Sequence, residues 1–136
     1  MDELDFKIIY ELDRNSRQKN IEIARKLGVS EGTVRKRIQD LTGSGLIKKF
    51  TIEFGVKRGL RAFILIKHVP HKDPDEIIAF LRSIPHVKTI YQLTGKWDVI
   101  IRVFTESSHE FNNVIDKIRS ENWVMETQSL VVLQID

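Results

Sequence analysis

Asn20–Leu41 reads NIEIARKLGVSEGTVRKRIQDL, and the fold of the N-terminal half turns on how it divides. Ile23, Ala24 and Leu27 share one face of a short helix, and Gly28 ends it. Ser30 is a good N-cap for the next helix, in which Val34, Ile38 and Leu41 recur at i, i+4 and i+7. This is helix-turn-helix spacing. Ala24 is small enough for the two helices to approach, Gly28 can take a turn conformation strained for other residues, and Val29 closes the turn onto the core. With Val34 inward, Gly32, Lys36 and Gln39 fall on the opposite face, flanked by Thr33 and Arg35. Such a face fits the major groove. Lys36 or Arg35 can donate to guanine, and Gln39 can pair with adenine or reach a phosphate. Gly32 permits close approach near the helix N-terminus that Ser30 caps, where free N–H groups favour phosphate. The candidate DNA-binding residues are therefore Ser30, Gly32, Thr33, Arg35, Lys36 and Gln39, with Lys48 and Lys49 tracking phosphates. Arg37 lies nearer the buried edge, where a backbone or intramolecular contact is expected.

Working outward, LDFKIIYEL places Leu4, Ile8 and Leu12 on one face of a preceding helix. After the motif, TGSGLI carries two glycines that end the third helix. In KKFTIEFGVKRG, Phe50, Ile52 and Phe54 alternate with Lys49, Thr51 and Glu53, which predicts a half-buried strand. Gly55 and Gly59 bracket a basic, flexible segment. The expected division is a helix-turn-helix domain over 1–47, a linker strand and hinge over 48–59, and a second domain over 60–136.

Charge follows the same division. From Arg14 to Lys49 there are ten Lys/Arg against three acids, a local net of +7, whereas Leu60–Asp136 has nine against ten, a net of −1. A basic first part joined to a nearly neutral second predicts two jobs, with a polyanion as one partner. An ordinary three-helix packing unit with a solvated face would spread its charge more evenly. No apolar run is long enough to span a membrane, and no secretory signal opens the chain. With no cysteine, disulfides and thiolate metal sites are excluded, and a cytoplasmic protein is expected. The histidines (His68, His71, His86, His109) have no accompanying carboxylate cluster, so no metal is expected.

The second part changes pattern. RAFILIKHV is a strand apolar on both faces. DPDEIIAFLRSI is a helix with Asp73 as N-cap and Pro74 at its first position. VKTIYQLTG and WDVIIRVFT are strands around a short turn. SSHEFNNVIDKIRS is a helix with Phe111, Val114, Ile115 and Ile118 on one face, and VMETQSLVVLQI is a last long strand. The order β-α-β-β-α-β is the split βαβ, or ferredoxin-like, arrangement, so the chain is read as α+β. Both helices cover one face of a four-stranded sheet. The other face keeps an apolar surplus, for which dimerisation through the sheet is the simplest cover.

The residues now carry a family resemblance. The leucine–aspartate opening, IARKLGVSEGTVRKRI and GLIKKF resemble, in order, the N-terminal winged helix-turn-helix domain of the Lrp/AsnC (feast/famine) transcription regulators. The second half, with TGKWDV between its central strands, resembles that family's ligand-sensing RAM domain. The resemblance covers essentially the whole chain, and the wording is most similar to archaeal members. It implies double-stranded DNA with palindromic sites as a partner. It also implies dimers through the RAM sheet and linker strand, assembly to tetramers or octamers, and a free amino acid as effector.

The loop Thr94-Gly95-Lys96-Trp97-Asp98 has two readings. In the plain one, Gly95 supplies a hairpin turn, Trp97 covers an apolar edge, and Asp98 pairs with Lys96 or caps a backbone N–H. In the other, Asp98 takes the ammonium of an amino acid, while N–H groups around Gly95 and Lys96 hold its carboxylate. The spacing of Gly95 and Asp98 matches the family's effector loop, which lies between dimers and is completed by polar groups of a neighbour's last strand. Thr127 and Ser129, on one side of that strand, are the residues so implied. Trp97 stands where members of the family it resembles commonly have a tyrosine or another residue, a departure that bears on the ligand's side chain.

Two other functions compete with the regulator. An architectural protein would wrap DNA with little sequence preference and need no ligand. An enzyme would need a constellation this chain lacks: no glycine-rich phosphate cradle follows the first strand, and no catalytic triad or dinucleotide fingerprint is present. No cofactor or catalytic residue is expected.

Overall fold

The computed structural model describes residues 1–55 and 58–136. Val56 and Lys57, in the middle of the basic segment between Gly55 and Gly59, lie outside the described residues. The chain divides into two compact units, Met1–Glu53 and Phe54–Asp136.

The first unit holds three helices, α1 (Glu3–Arg14), α2 (Asn20–Leu27) and α3 (Glu31–Gly43). Helix α1 begins in a reciprocal capping box: Asp2 accepts from the Asp5 N–H and Asp5 accepts from the Asp2 N–H. Ile8, Leu12, Ile23, Ala24 and Val34 form the buried core, with Leu4, Leu27, Val29, Ile38 and Ile47 packed around it. Gly28 adopts φ +69°, the left-handed conformation that lets α2 stop and the chain turn into α3. Ser30 Oγ accepts from the Thr33 N–H and so caps α3.

The half-buried strand expected at Phe50–Phe54 does not form. Residues 48–55 belong to no helix or strand, and Phe50, Ile52 and Phe54 are 53%, 70% and 44% exposed. The alternation is genuine, but a strand needs a ladder partner for its backbone groups, and among the described residues no strand pairs with this segment; only the Phe54 carbonyl is engaged, accepting from Arg61 Nη2 at 3.1 Å.

The second unit contains β1 (Leu60–His68), α4 (Pro74–Ser83), β2 (Val87–Gln92), β3 (Val99–Thr105), α5 (Ser108–Arg119) and β4 (Val124–Val131). All pairings are antiparallel and the strand order is β2-β3-β1-β4, the split βαβ topology. Asp73 caps α4 by accepting from the Asp75 N–H, with Pro74 just inside the helix. The last strand is shorter than the sequence pattern implies, although the Val132 N–H still donates to the Arg61 carbonyl.

Period-two alternation divides the sheet cleanly. Ala62, Ile64 and Ile66 of β1 and Val99, Ile101 and Val103 of β3 join Ile77, Leu81, Phe111, Val114 and Ile118 in one core under the helices. Phe63, Leu65, Ile100 and Phe104 alternate to the opposite face and remain only half-buried.

Carboxylates brace the helical unit. The Asp5 N–H, followed by the Arg37 guanidinium, holds the Asp2 carboxyl below its ordinary 3.8. Lys7 lowers Glu3, and Lys26, donating to Glu11 at 2.5 Å, lowers Glu11, both from 4.5. Depressed carboxylate values contribute stability that is complete above the unfolded values and lost as pH falls through the folded ones. Acidification from pH 7 to below 3.8 should therefore lower the melting temperature of the helical unit. Asp2→Asn should narrow that drop, and melting curves of both proteins at several pH values check it.

Candidate functional site

Two surfaces carry the sequence-derived candidates. On α3, Gly32, Arg35, Lys36 and Gln39 are exposed, Thr33 is half-buried beside them, and Val34 is fully buried on the reverse. Ser30 and Thr33 are bonded to each other through their hydroxyls at 2.8 Å, which orders the first turn of the helix. Arg35 is paired with Glu31 one turn back. Among the described residues, Lys36 and Gln39 have no hydrogen-bonding or ionic partner, so their polar ends are available to an external ligand. A Cβ on Gly32 would meet only Ser30 Oγ, at 3.9 Å, so nothing inside the unit requires glycine there. Lys48 and Lys49 are exposed on the segment after α3.

One residue of α3 behaves differently. Arg37 Nη1 donates to Asp2 Oδ2 at 2.7 Å and to Asp5 Oδ1 at 3.1 Å. Its two acceptors lie 35 and 32 residues away in sequence, so helical periodicity does not reveal them. The Asp-x-x-Asp pattern at Asp2 and Asp5 is a capping-box signal that sequence reading overlooked.

In the second unit, the Leu93 N–H donates to the Asp98 carbonyl at 2.8 Å and closes the loop Thr94–Trp97. Gly95 takes φ +109°, and a Cβ there would touch nothing within 4 Å. The glycine is required by the backbone rather than by space. Lys96 Nζ stands 5.4 Å from the centre of the Trp97 ring, a cation–π contact. The end of β1 anchors the loop: the Asp98 N–H donates to the Ile66 carbonyl at 3.1 Å, and Asp98 Oδ2 accepts from the His68 N–H at 2.9 Å. Asp98 thus caps a backbone N–H, as the plain reading anticipates, and does not pair with Lys96.

Asp98 also borders a cleft of about 120 Å³, shared with His68, Pro74, Ile77, Ile78, Gln92, Leu93 and Val99. The cleft is small beside the roughly 300–1,000 Å³ of ordinary ligand pockets, and of the loop residues only Asp98 lines it. Thr127 and Ser129 are opposite Ile66 and Ile64, so both lie on the helix-covered side of edge strand β4. Thr127 Oγ1 accepts from Arg119 Nε at 3.1 Å. Within one chain they stand apart from the Thr94–Asp98 loop, with β1 between.

The fold and these surfaces define a DNA-binding transcription regulator that carries a ligand-binding domain. The family model for winged helix-turn-helix DNA-binding domains matches residues 1–48, and that for the Lrp/AsnC ligand-binding domain matches residues 61–135. The chain belongs to the Lrp/AsnC family of transcription regulators, which are not enzymes. It is 37% identical to the HTH-type transcriptional regulator LysM of Saccharolobus solfataricus, over 98% of this chain and 94% of that protein. It is 33% identical to the HTH-type transcriptional regulator FL11 of Pyrococcus furiosus, over 99% of this chain and 91% of that protein. Among solved structures, AsnC of E. coli matches with a TM-score of 0.67 and 29% identity, covering 99% of this chain and 93% of that one. The L-Met complex of regulator NMB0573 from Neisseria meningitidis matches at 0.70 and 29%, covering 98% and 90%. No helix among the described residues is long and apolar enough to cross a membrane.

Gly95→Ala should destabilise the second unit by roughly 1–2 kcal/mol through backbone strain alone. Urea unfolding of the two proteins measures the difference, and an unchanged midpoint would show the loop relaxing to another conformation.

Proposed function

We propose that the protein is a sequence-specific regulator that works as a homo-oligomer and responds to a free amino acid. The observation that carries the DNA half is the contrast along α3. Arg35 and Arg37 are engaged within the unit, while Lys36 and Gln39, on the groove-facing side, have no partner among the described residues. In this reading Lys36 and Gln39 meet base edges, Gly32 keeps the helix N-terminus close to the duplex, and Ser30 and Thr33 hold that first turn. Lys48 and Lys49 contact phosphates, and Arg35 exchanges Glu31 for DNA.

Oligomerisation is supported by what the single chain leaves uncovered. The open sheet face leaves Phe63, Leu65, Ile100 and Phe104 only half-buried, Phe104 beside the Phe54 ring, and Arg102 Nε is buried there without a partner among the described residues. The apolar side chains of Phe50 and Ile52 are also exposed. A second copy on these surfaces removes apolar area from water, and two-fold symmetry then presents two α3 helices to two half-sites. We assign the DNA-binding role to residues 1–47, the hinge to 48–59, and ligand binding and assembly to 60–136.

Amino-acid sensing is supported by the small polar cleft at Asp98 and by the relative solved with L-Met. Asp98 Oδ2 serves the His68 N–H, which leaves Oδ1 for a ligand ammonium, and in this reading the N–H groups around Gly95 and Lys96, on the loop beside the cleft, hold its carboxylate. Trp97 borders the ligand's side chain. A neighbouring chain supplies the remaining wall through Thr127 and Ser129.

If Lys36 reads a base, Lys36→Ala should cost about 1–3 kcal/mol on a selected duplex and much less on random DNA. Uniform loss on both would reduce it to a phosphate contact; protection without preferred sites in footprints of the native protein would favour an architectural role. For sensing, at least one of the twenty amino acids should raise the melting temperature; at a hundred times Kd the stabilisation is about 2.7 kcal/mol. Asp98→Asn keeps an acceptor for His68 but removes the charge, and should abolish the shift. A shift that survives places the ligand elsewhere.

A further inference from the structure

We propose that Arg37 is a positioning residue for DNA reading: it does not touch DNA but fixes the rotation of α3 on α1, and so aims Lys36 and Gln39. The inference rests on the assignment of those two residues as base readers.

The network around Arg37 is closed. Asp2 Oδ1 accepts from the Asp5 N–H at 3.0 Å, and Asp5 Oδ2 accepts from the Asp2 N–H at 2.8 Å. The remaining oxygens, Asp2 Oδ2 and Asp5 Oδ1, both accept from Arg37 Nη1. Each of the four carboxylate oxygens therefore has one donor, and both acids are fixed by the helix cap before Arg37 arrives. Asp5 is only 6% exposed, so its charge requires a cation close by. Drawing Arg37 away to a phosphate would leave two acids uncompensated at the start of α1, one of them buried. The guanidinium is held more firmly protonated by the same carboxylates.

The other contacts of α3 with the core, through Val34 and Ile38, are apolar. Close packing of Val34 keeps the buried face of α3 inward, but the hydrophobic effect behind it is non-directional, so the fine setting of the rotation is open to a directional contact. Charge-assisted hydrogen bonds are directional. Arg37 follows Lys36 immediately and precedes Gln39 by two, so any roll it permits is carried straight to both. Recognition geometry tolerates roughly 10–20° of such error. A lone surface ion pair would have little authority over this angle. A doubly bonded guanidinium seated on a pre-formed capping box has more.

The test uses the full-length protein on two duplexes: the sequence it enriches most from a randomised pool, and the unselected pool. Arg37→Ala should weaken binding to the enriched duplex roughly tenfold or more, which is the scale of one lost base contact. Its affinity for the pool and the slope of log affinity against log salt should stay unchanged. Arg37→Lys, whose ammonium can still bridge two carboxylates, should restore most of the preference. Asp2→Asn should weaken preference in the same direction as Arg37→Ala. If Arg37 instead touches a phosphate, the salt slope becomes shallower by about one. Asp2→Asn, by releasing Arg37 and removing a negative charge, would then tighten binding. Either result overturns the proposal, as does an equal loss on both duplexes by variants that circular dichroism shows to be folded. Should Arg37→Ala fail to fold, Arg37→Lys and Asp2→Asn still decide the sign. A native protein that enriches nothing removes the base-reading assignment and this inference together. A native protein that discriminates, with Arg37→Ala discriminating equally well, removes this inference alone.

Discussion

Strand β1 is the constraint on which the second unit depends. It is paired on both sides, to β3 and to β4, so its alternation cannot slip by one residue without turning Ala62, Ile64 and Ile66 out of the core. The same alternation forces Phe63 and Leu65 to the face that no helix covers. Its C-terminal end does further work, because Ile66 accepts the Asp98 N–H and His68 donates to the Asp98 carboxylate. One strand therefore fixes the core, creates the uncovered apolar face and anchors the loop on which the ligand assignment rests. A change in its register would alter all three at once.

The helical unit solves a different problem, which is to hold a polar surface in a fixed direction on a small core. Ile8, Ile23 and Val34 are fully buried and supply the cohesion. Direction comes from the ends of the helices: the Ser30 cap starts α3, Gly28 turns the chain into it, and the Asp2–Asp5 box receives Arg37. The arrangement separates two kinds of cation on one helix, those engaged by the fold and those left facing outward.

Local features were legible in the sequence because their causes are local. The Gly28 turn, the Ser30 and Asp73 caps and the inward faces of α1, α2, α3 and α5 follow from neighbours within a turn or two. The order of elements also determined the sheet topology, since split βαβ connections leave few alternatives. What the sequence could not convey was pairing across distance. Alternation at Phe50–Phe54 describes a segment ready to be a strand, but whether one forms depends on a partner outside the chain's own sheet. Likewise, alternation separates Thr127 and Ser129 from Glu126 and Gln128 without saying which pair faces the helices, and only the register with Ile64 and Ile66 decides it.

The charge map shows the same limit in its most consequential form. The net of +7 over Arg14–Lys49 omits α1, whose acids fold back onto that window; counted over Met1–Lys49, eleven bases face eight acids, a net of +3. Glu11 holds Lys26, Asp2 and Asp5 hold Arg37, and Glu31, inside the window, holds Arg35. At least three of the ten cations, Lys26, Arg35 and Arg37, are thus matched before any DNA is present. Phosphate affinity scales with the cations that displace counterions, so a linear count overstates it. The regulator's hold on DNA then depends less on total charge than on the few side chains the fold leaves pointing outward. In the proposed reading, such a surface keeps non-specific binding moderate and leaves discrimination between sequences to the aim of α3.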